Sequence, residues 1–117
     1  MLIAEDTPEL RLLVSRILQG MGVTVTTVNN GKEALELATR DPFDLILMDV
    51  QMPVMNGVEA TAALRAEGIQ IPIVALTANV MPKHRDAFNA AGGSGFLTKP
   101  IDKKNLRAVL AEYLNVE

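Results

Sequence analysis

The stretch Leu45-Ile46-Leu47-Met48-Asp49 decides the fold, because four consecutive apolar residues are followed at once by a carboxylate. A strand that is covered on both faces of a parallel sheet has this unbroken apolar pattern. Pro42 interrupts the chain just before the run, which keeps it separate from the preceding helical pattern. The stretch therefore predicts a buried parallel strand at residues 45–48, with Asp49 at its carboxyl end.

Similar short runs recur on both sides of this strand, at residues 2–4, 23–28, 73–76 and 95–97. The run from Val23 to Val28 is β-branched throughout, which favours an extended backbone. Between the runs the apolar residues change to helical spacing, as in the stripe formed by Leu10, Leu13, Val14, Ile17 and Leu18. The periodicity therefore alternates between strand and helix along the whole chain.

Capping residues predict where the helices begin and end. Thr7-Pro8 is typical of a helix start, Asn30 and Glu33 form an approximate capping box, and Asp102 is suited to cap the last helix. We expect the third helix at about residues 58–67 and a fourth that begins near residue 82 and stops at Gly92-Gly93. The inner face of the last helix is predicted to carry Leu106, Val109, Leu110, Tyr113 and Leu114.

Alternation of this kind with short connections predicts an α/β fold of the (βα)5 type, with helices on both faces of a five-stranded parallel sheet. The most plausible strand order is 2-1-3-4-5, that of the doubly wound, flavodoxin-like sheet. In this order the topological switch point lies between the first and third strands. Ligands of open parallel sheets bind at that point, beyond the carboxyl ends of the strands.

The composition fits one domain over residues 1–117 and excludes several classes of protein. A net charge of −3 argues against a nucleic-acid partner. The absence of cysteine fits a reducing, cytoplasmic setting, and no apolar run is long enough to span a membrane. Because Met1 already lies in or beside a strand, we expect a domain excised from a longer chain, with an introduced start.

Chemically matched residues follow the strand ends: Glu5, Asp6, Asp49, Thr77 and Lys99. Three carboxylates that meet in one pocket repel each other, so protons or a cation must relieve the repulsion. Hard oxygen ligands favour Mg²⁺, or Mn²⁺, over zinc, and a backbone carbonyl such as that of Gln51 could complete the coordination. The site suits a divalent cation and a phosphoryl group.

Four motifs resemble the signatures of a response-regulator receiver domain, the CheY-like family. They are Glu5-Asp6, the segment from Met48 to Gly57, Ala75-Leu76-Thr77-Ala78, and Phe96-Leu97-Thr98-Lys99-Pro100. The resemblance covers the whole chain in the correct order. The sequences around Asp49 and Thr77 most resemble those in the receivers of hybrid sensor histidine kinases.

The resemblance implies a role for each of these residues. Asp49 would be the phosphoacceptor, Glu5 and Asp6 would bind Mg²⁺ with Asp49, and Thr77 and Lys99 would contact the phosphoryl group. Phe96 would be the aromatic switch residue that responds to Thr77. The family also leads us to expect a cis peptide between Lys99 and Pro100.

The function implied is that of a phosphoacceptor module in a two-component phosphorelay rather than an enzyme, although slow self-phosphorylation and autodephosphorylation are expected. A phosphohistidine of a histidine kinase or of a histidine phosphotransfer domain would supply the phosphoryl group in a Mg²⁺-dependent transfer. The signal would leave through the fourth helix, the fifth strand and the fifth helix. We expect a monomer or weak homodimer that contacts neither nucleic acid nor membrane, in the cytoplasm or in the cytoplasmic part of a membrane-bound kinase.

Other functions remain open at this point. A Mg²⁺-dependent aspartyl-phosphate phosphatase typically needs a second acid two residues after the nucleophile, where this chain has Gln51. A flavodoxin-like cofactor binder would meet repulsion between its phosphate and Glu5-Asp6. A constitutive scaffold is disfavoured because no site residue is missing, whereas a phosphate relay without conformational output stays possible.

Overall fold

The computed structural model of the protein describes residues 1–52, 54–77, 82–99 and 101–114, and only the backbone of 82–84. Within these ranges five strands alternate with five helices. The order is β1 (Leu2–Ala4), α1 (Pro8–Gly20), β2 (Thr26–Val28), α2 (Gly31–Arg40), β3 (Ile46–Asp49), α3 (Gly57–Ala66), β4 (Ile73–Thr77), α4 (Pro82–Ala90), β5 (Gly95–Thr98) and α5 (Lys103–Leu114). None of these helices is long and apolar enough to cross a bilayer.

All five strands are parallel and lie in the order β2-β1-β3-β4-β5. The predicted doubly wound (βα)5 sheet is therefore confirmed. Ala4 pairs with Met48, and Thr77 pairs with Thr98 at the same end of the sheet. This register brings the carboxyl ends of β1, β3, β4 and β5 together.

Two hydrophobic cores cover the two faces of the sheet, because successive residues of a strand point to opposite sides. Ile3, Leu47 and Val74 pack with α1 and α5, whereas their neighbours Leu2 and Ile46 pack with α2, α3 and α4. The central strands β1, β3 and β4 are buried along their whole lengths. Coverage of both faces explains the unbroken apolar runs in the sequence.

The strand β2 is shorter than predicted, since it covers only Thr26–Val28 and not residues 23–28. Its partner β1 begins at Leu2, which pairs with Thr26. Before Thr26, the Val23 amide donates to the carbonyl of Leu18 near the end of α1 and not to a neighbouring strand. The β-branched pattern favours an extended backbone, but the hydrogen bond to the last turn of α1 takes the Val23 amide out of the sheet. Thr26 and Thr27 are exposed on this outer strand.

Helix caps fix the loops on the functional side of the sheet. Asn30 accepts a hydrogen bond from the Glu33 amide as predicted, but the Glu33 carboxylate turns to the amide of Asn29. A complete reciprocal capping box joins Asn56 and Glu59 at the start of α3. The α3 helix therefore begins at Gly57, one residue earlier than expected, directly after the loop that follows Asp49.

Two glycines hold this β3–α3 loop in place. A Cβ atom at Gly57 would collide with the backbone carbonyl of Asp49, and one at Gly31 would collide with that of Met55. The amide of Gly31 also donates to the Met55 carbonyl at 2.9 Å. Both helices thus approach the loop more closely than any other residue type would permit.

We expect Gly57→Ala to lower the free energy of unfolding by about 1–3 kcal/mol, the usual cost of overpacking against atoms that cannot move. Gly20→Ala is the matched control, because a Cβ there meets nothing within 4 Å and alanine favours helix by up to ~1 kcal/mol. Urea unfolding of the two variants gives the comparison. Equal stabilities would show that the β3–α3 loop yields freely around Gly57.

Candidate functional site

The site begins with two acids at the ends of neighbouring strands. Glu5 directly follows β1 and Asp49 ends β3, one residue beyond the paired Ala4 and Met48. The exposed fraction is 0% for Glu5 and 5% for Asp49. Two buried carboxylates this close would be costly without compensation, because both burial and like charge disfavour ionisation.

The Lys99 ammonium supplies much of that compensation. Its Nζ atom lies 3.0 Å from Oδ2 of Asp49 and 3.3 Å from Oε1 of Glu5. Lys99 follows β5, and its amide donates to the Thr77 carbonyl at 2.9 Å. The backbone of the fifth strand therefore delivers a positive charge between two acids that precede it by 50 and 94 positions in the sequence.

Backbone amides orient both carboxylates. The amide of Thr7 donates to Oε2 of Glu5, and the amide of Gln51 donates to Oδ1 of Asp49, each at 2.9 Å. The guanidinium of Arg11 donates to the Glu5 carbonyl at 2.9 Å and secures the turn after β1. Oε1 of Glu5 has the Lys99 ammonium nearby but accepts no hydrogen bond, although it is buried.

Burial and the neighbouring charges shift the pKa values of Glu5 and Lys99. Burial, with the adjacent Asp49 carboxylate, raises the pKa of Glu5 from its ordinary 4.5 to about 7. Burial also disfavours the Lys99 ammonium, but the hydrogen bond and negative charge of Asp49 outweigh it and raise the pKa of Lys99. At neutral pH the Lys99 side chain is therefore charged, and Glu5 loses its proton less readily than an ordinary glutamate.

The three acids fit a divalent cation. One carboxylate oxygen from each of Glu5, Asp6 and Asp49 lies within 4.8 Å of the others. Glu5 contributes an unbonded buried oxygen, and Asp6 is exposed. Asp6 also lines a cleft of about 540 Å³, together with Gln51. A hard ion such as Mg²⁺, which keeps several waters, suits an acidic set that opens to solvent on one side.

The remaining predicted residues lie on or beside β4 and β5. Thr77, at the end of β4, is 8% exposed. Phe96 of β5 pairs with Ala75, which lies two positions before Thr77 on β4. Because side chains alternate along a strand, Thr77 and Phe96 point to the same face of the sheet. The expected cis peptide at Lys99-Pro100 involves Pro100, which lies outside the described residues. The metal-binding role of the Gln51 carbonyl stays a prediction.

The comparisons with known proteins agree with this geometry. The model of the response regulator receiver domain matches residues 1–111. The chain belongs to this family. Its relatives include the sensor histidine kinase GacS of Pseudomonas protegens, 40% identical over 96% of this chain, and the rice two-component response regulator ORR41, also 40% identical over 96%. This receiver spans only 13% of GacS but 91% of ORR41.

Solved receiver domains have the same fold. The receiver domain of the sensor histidine kinase PA1611 from Pseudomonas aeruginosa is 35% identical, with a TM-score of 0.90 over 98% of this chain and 96% of that one. That structure has a magnesium ion coordinated in the active-site cleft. The chemotaxis protein CheY4 of Vibrio cholerae, also 35% identical, superimposes with a TM-score of 0.89 over 96% of this chain and 95% of that one. The receiver thus belongs to two-component signalling, and its relatives include the receivers of hybrid sensor kinases.

Sequence reasoning missed the groups that hold the acids in place. The Asn56–Glu59 capping box could have been found, since Asn-x-x-Glu before an apolar run is a recognised helix start. No local pattern indicates that Arg11 reaches the Glu5 carbonyl or that the Thr7 amide reaches its carboxylate. Those contacts depend on the angle at which α1 leaves the sheet.

We expect the metal-free receiver to lose stability as the pH rises from 4.5 to about 7. The folded state binds the Glu5 proton more tightly than the unfolded chain does, so in this window the free energy of unfolding falls with increasing pH. Glu5→Gln should remove that fall and melt several degrees above wild type at pH 8. Thermal unfolding in EDTA from pH 4 to 8 measures the difference.

The control is Glu9→Gln, which removes an exposed carboxylate in the first turn of α1. Its pH profile should follow that of wild type. Parallel profiles for wild type and Glu5→Gln would contradict the unfavourable ionisation of Glu5.

Proposed function

We propose that Asp49 accepts a phosphoryl group from a phosphohistidine of a histidine kinase or of a histidine phosphotransfer domain, and that this changes the surface of α4, β5 and α5. The observation that carries the proposal is the Asp49 carboxylate itself, which is nearly buried, oriented by the Gln51 amide and bound by Lys99. A carboxylate held in this way is a positioned nucleophile with a cation beside it.

The transfer exchanges one bond for another. A carboxylate oxygen of Asp49 attacks phosphorus, a P–O bond forms, and the P–N bond to the histidine ring breaks. The ring nitrogen keeps the electron pair and takes up a proton from water. Lys99, now 3.0 Å from Oδ2, is close enough to neutralise charge on the phosphoryl oxygens as they arrive.

Mg²⁺, when bound, would neutralise further charge on the transferred phosphoryl group. Glu5, Asp6 and Asp49 would hold it, because their oxygens converge and include the unbonded Oε1 of Glu5. Glu5 at a pKa of about 7 is partly protonated without a metal. A cation would favour its ionised form, so phosphotransfer and metal binding would both become easier as the pH rises.

The response would travel along β4 and β5. Thr77 and Phe96 share a face of the sheet, and Phe96 pairs with the small residue Ala75. When the Asp49 phosphoryl group is present, the Thr77 hydroxyl would move to donate to it, and Phe96 would enter the space that Thr77 leaves. Such a change in contacts is what allows a ligand to shift a two-state equilibrium.

A phosphatase of the aspartyl-phosphate type is less well supported. Gln51 stands where such an enzyme needs an acid to protonate the leaving group. The backbone amide of Gln51, and not its side chain, donates to Asp49 in the described contacts. A side-chain amide cannot deliver that proton, so turnover by this route would lack its general acid.

We expect Asp49 to be phosphorylated slowly by acetyl phosphate in the presence of Mg²⁺. The intact mass should rise by one phosphoryl group in the wild type, and Asp49→Asn should show no rise because the amide is not a nucleophile. Mass spectrometry after timed incubation measures both. An equal gain in Asp49→Asn would refute the assignment of the phosphoacceptor.

Two further variants make this experiment specific. Asp41→Asn changes an exposed acid at the end of α2, remote from the site, and should leave the mass gain unchanged. Asp6→Asn removes a metal ligand and should slow the gain at least tenfold at limiting Mg²⁺. A Mg²⁺-independent gain would contradict the role of the acidic cluster.

We expect Thr77→Ala to accept the phosphoryl group but fail to transmit it, because the missing hydroxyl is the link between Asp49 and Phe96. Thr77→Ser is the control, since it keeps the hydroxyl and should transmit normally. Backbone NMR shifts with and without a beryllofluoride mimic measure transmission. Wild-type shifts confined to the loops near Asp49, with no change in β5 and α5, would show that the domain is a phosphate relay without conformational output.

A further inference from the structure

Arg85 makes a contact with Phe96 that the phosphorylation chemistry does not require. Its guanidinium carbon lies 5.0 Å from the centroid of the Phe96 ring. This distance is within the range of a cation–π interaction, which attracts a cation to the face of an aromatic ring. Arg85 is exposed, and no ion pair joins it to a carboxylate in the part of the chain that the structure describes.

The Phe96 ring is held from a second side by α4. Its centroid lies 5.3 Å from that of Phe88, with an angle of 62° between the ring planes. Edge-to-face pairs of this kind are favourable beyond the area that they bury. Arg85 and Phe88 are three positions apart on α4, so they lie on the same side of the helix. Phe96 thus rests against one face of α4 through two different contacts.

The position of α4 itself is fixed at its carboxyl end. Phe88 is fully buried, and Gly93 leaves room for its ring, because a Cβ atom at Gly93 would collide with it. The Arg65 side chain donates from Nε to the carbonyl of Gly92 at 2.9 Å. These contacts anchor the turn between α4 and β5, so Arg85 is presented to Phe96 by a helix that is secured one turn farther on.

We propose that Arg85 is a positioning residue that clamps Phe96 in its phosphoryl-free arrangement and so sets how readily this receiver switches. The proposal rests on the proposed function, because Arg85 favours the phosphoryl-free arrangement of Phe96 whereas the Asp49 phosphoryl group favours the other arrangement. An exposed cation–π contact has to be broken before the ring can move away from Arg85. Its loss favours every other position of the ring over the clamped one.

The main test is the affinity of the Mg²⁺-loaded protein for beryllofluoride, measured by NMR titration. Arg85→Gln should bind the mimic about two- to fivefold more tightly, the equivalent of the ~0.5–1 kcal/mol of an exposed cation–π contact. The matched control is Arg107→Gln, which removes the same charge from an exposed position on α5 and should bind like wild type. Unchanged or weaker binding by Arg85→Gln would overturn the proposal.

A double-mutant cycle separates the ring contact from the general loss of positive charge. In a Phe96→Leu background the guanidinium has no aromatic face to stack on, so Arg85→Gln should no longer alter beryllofluoride affinity. If the same gain persisted in that background, Arg85 would act through its charge and not through Phe96.

A second measurement distinguishes this proposal from the proposed function. The chain has only three phenylalanines and one tyrosine, so the Phe96 ring protons can be assigned and followed without any phosphoryl mimic. Arg85→Gln should shift these signals and speed the ring flips, whereas Arg107→Gln should not. Wild-type protein that binds no beryllofluoride and accepts no phosphoryl group would refute the proposed function, whereas unchanged Phe96 signals in Arg85→Gln would refute the clamp.

Discussion

The ammonium of Lys99 is the interaction on which the pocket depends, because it lies between two buried carboxylates, Glu5 and Asp49. Without it the acids at the ends of β1 and β3 would leave adjacent negative charges with little water to screen them. The ion pairs also tie the end of β5 to the centre of the sheet. Loss of the lysine would leave the two acids without their shared cation, whereas neutralising Glu5 would relieve the repulsion between them, because burial already disfavours its charged form.

The sequence was sufficient to predict the sheet and the meeting of Glu5, Asp49 and Lys99 at one edge of it, because both follow from the strand order. The apolar run before Asp49 and the hydroxyl and ammonium after β4 and β5 are local signals, and the strand order brings them together. Strand length is not a local property: residues 23–25 have a β-branched pattern, but the Val23 amide donates to Leu18 of α1 and not to a neighbouring strand. The Arg85–Phe96 contact is also beyond local patterns, since it depends on how α4 rests on the sheet.

Gly92 and Gly93 allow close packing at the end of α4. Gly92-Gly93 invites interpretation as a hinge, yet in the structure Gly93 makes room for the Phe88 ring and the Gly92 carbonyl is bound by Arg65. The end of α4 is therefore secured by packing and by a charged donor. Movement of the surface formed by α4, β5 and α5 would therefore be concentrated near Arg85 and Phe96, away from the anchored turn between α4 and β5.

The short outer strand β2 has a consequence for how this domain can meet other proteins. Three residues, two of them exposed threonines, offer few free backbone groups for a foreign strand to extend the sheet. At this edge of the sheet a partner would then have to be recognised by side chains of helices and loops, which can change without disturbing the hydrogen-bonded framework. The surface of this edge could therefore change its binding properties by substitution alone, while the interior of the fold stays the same.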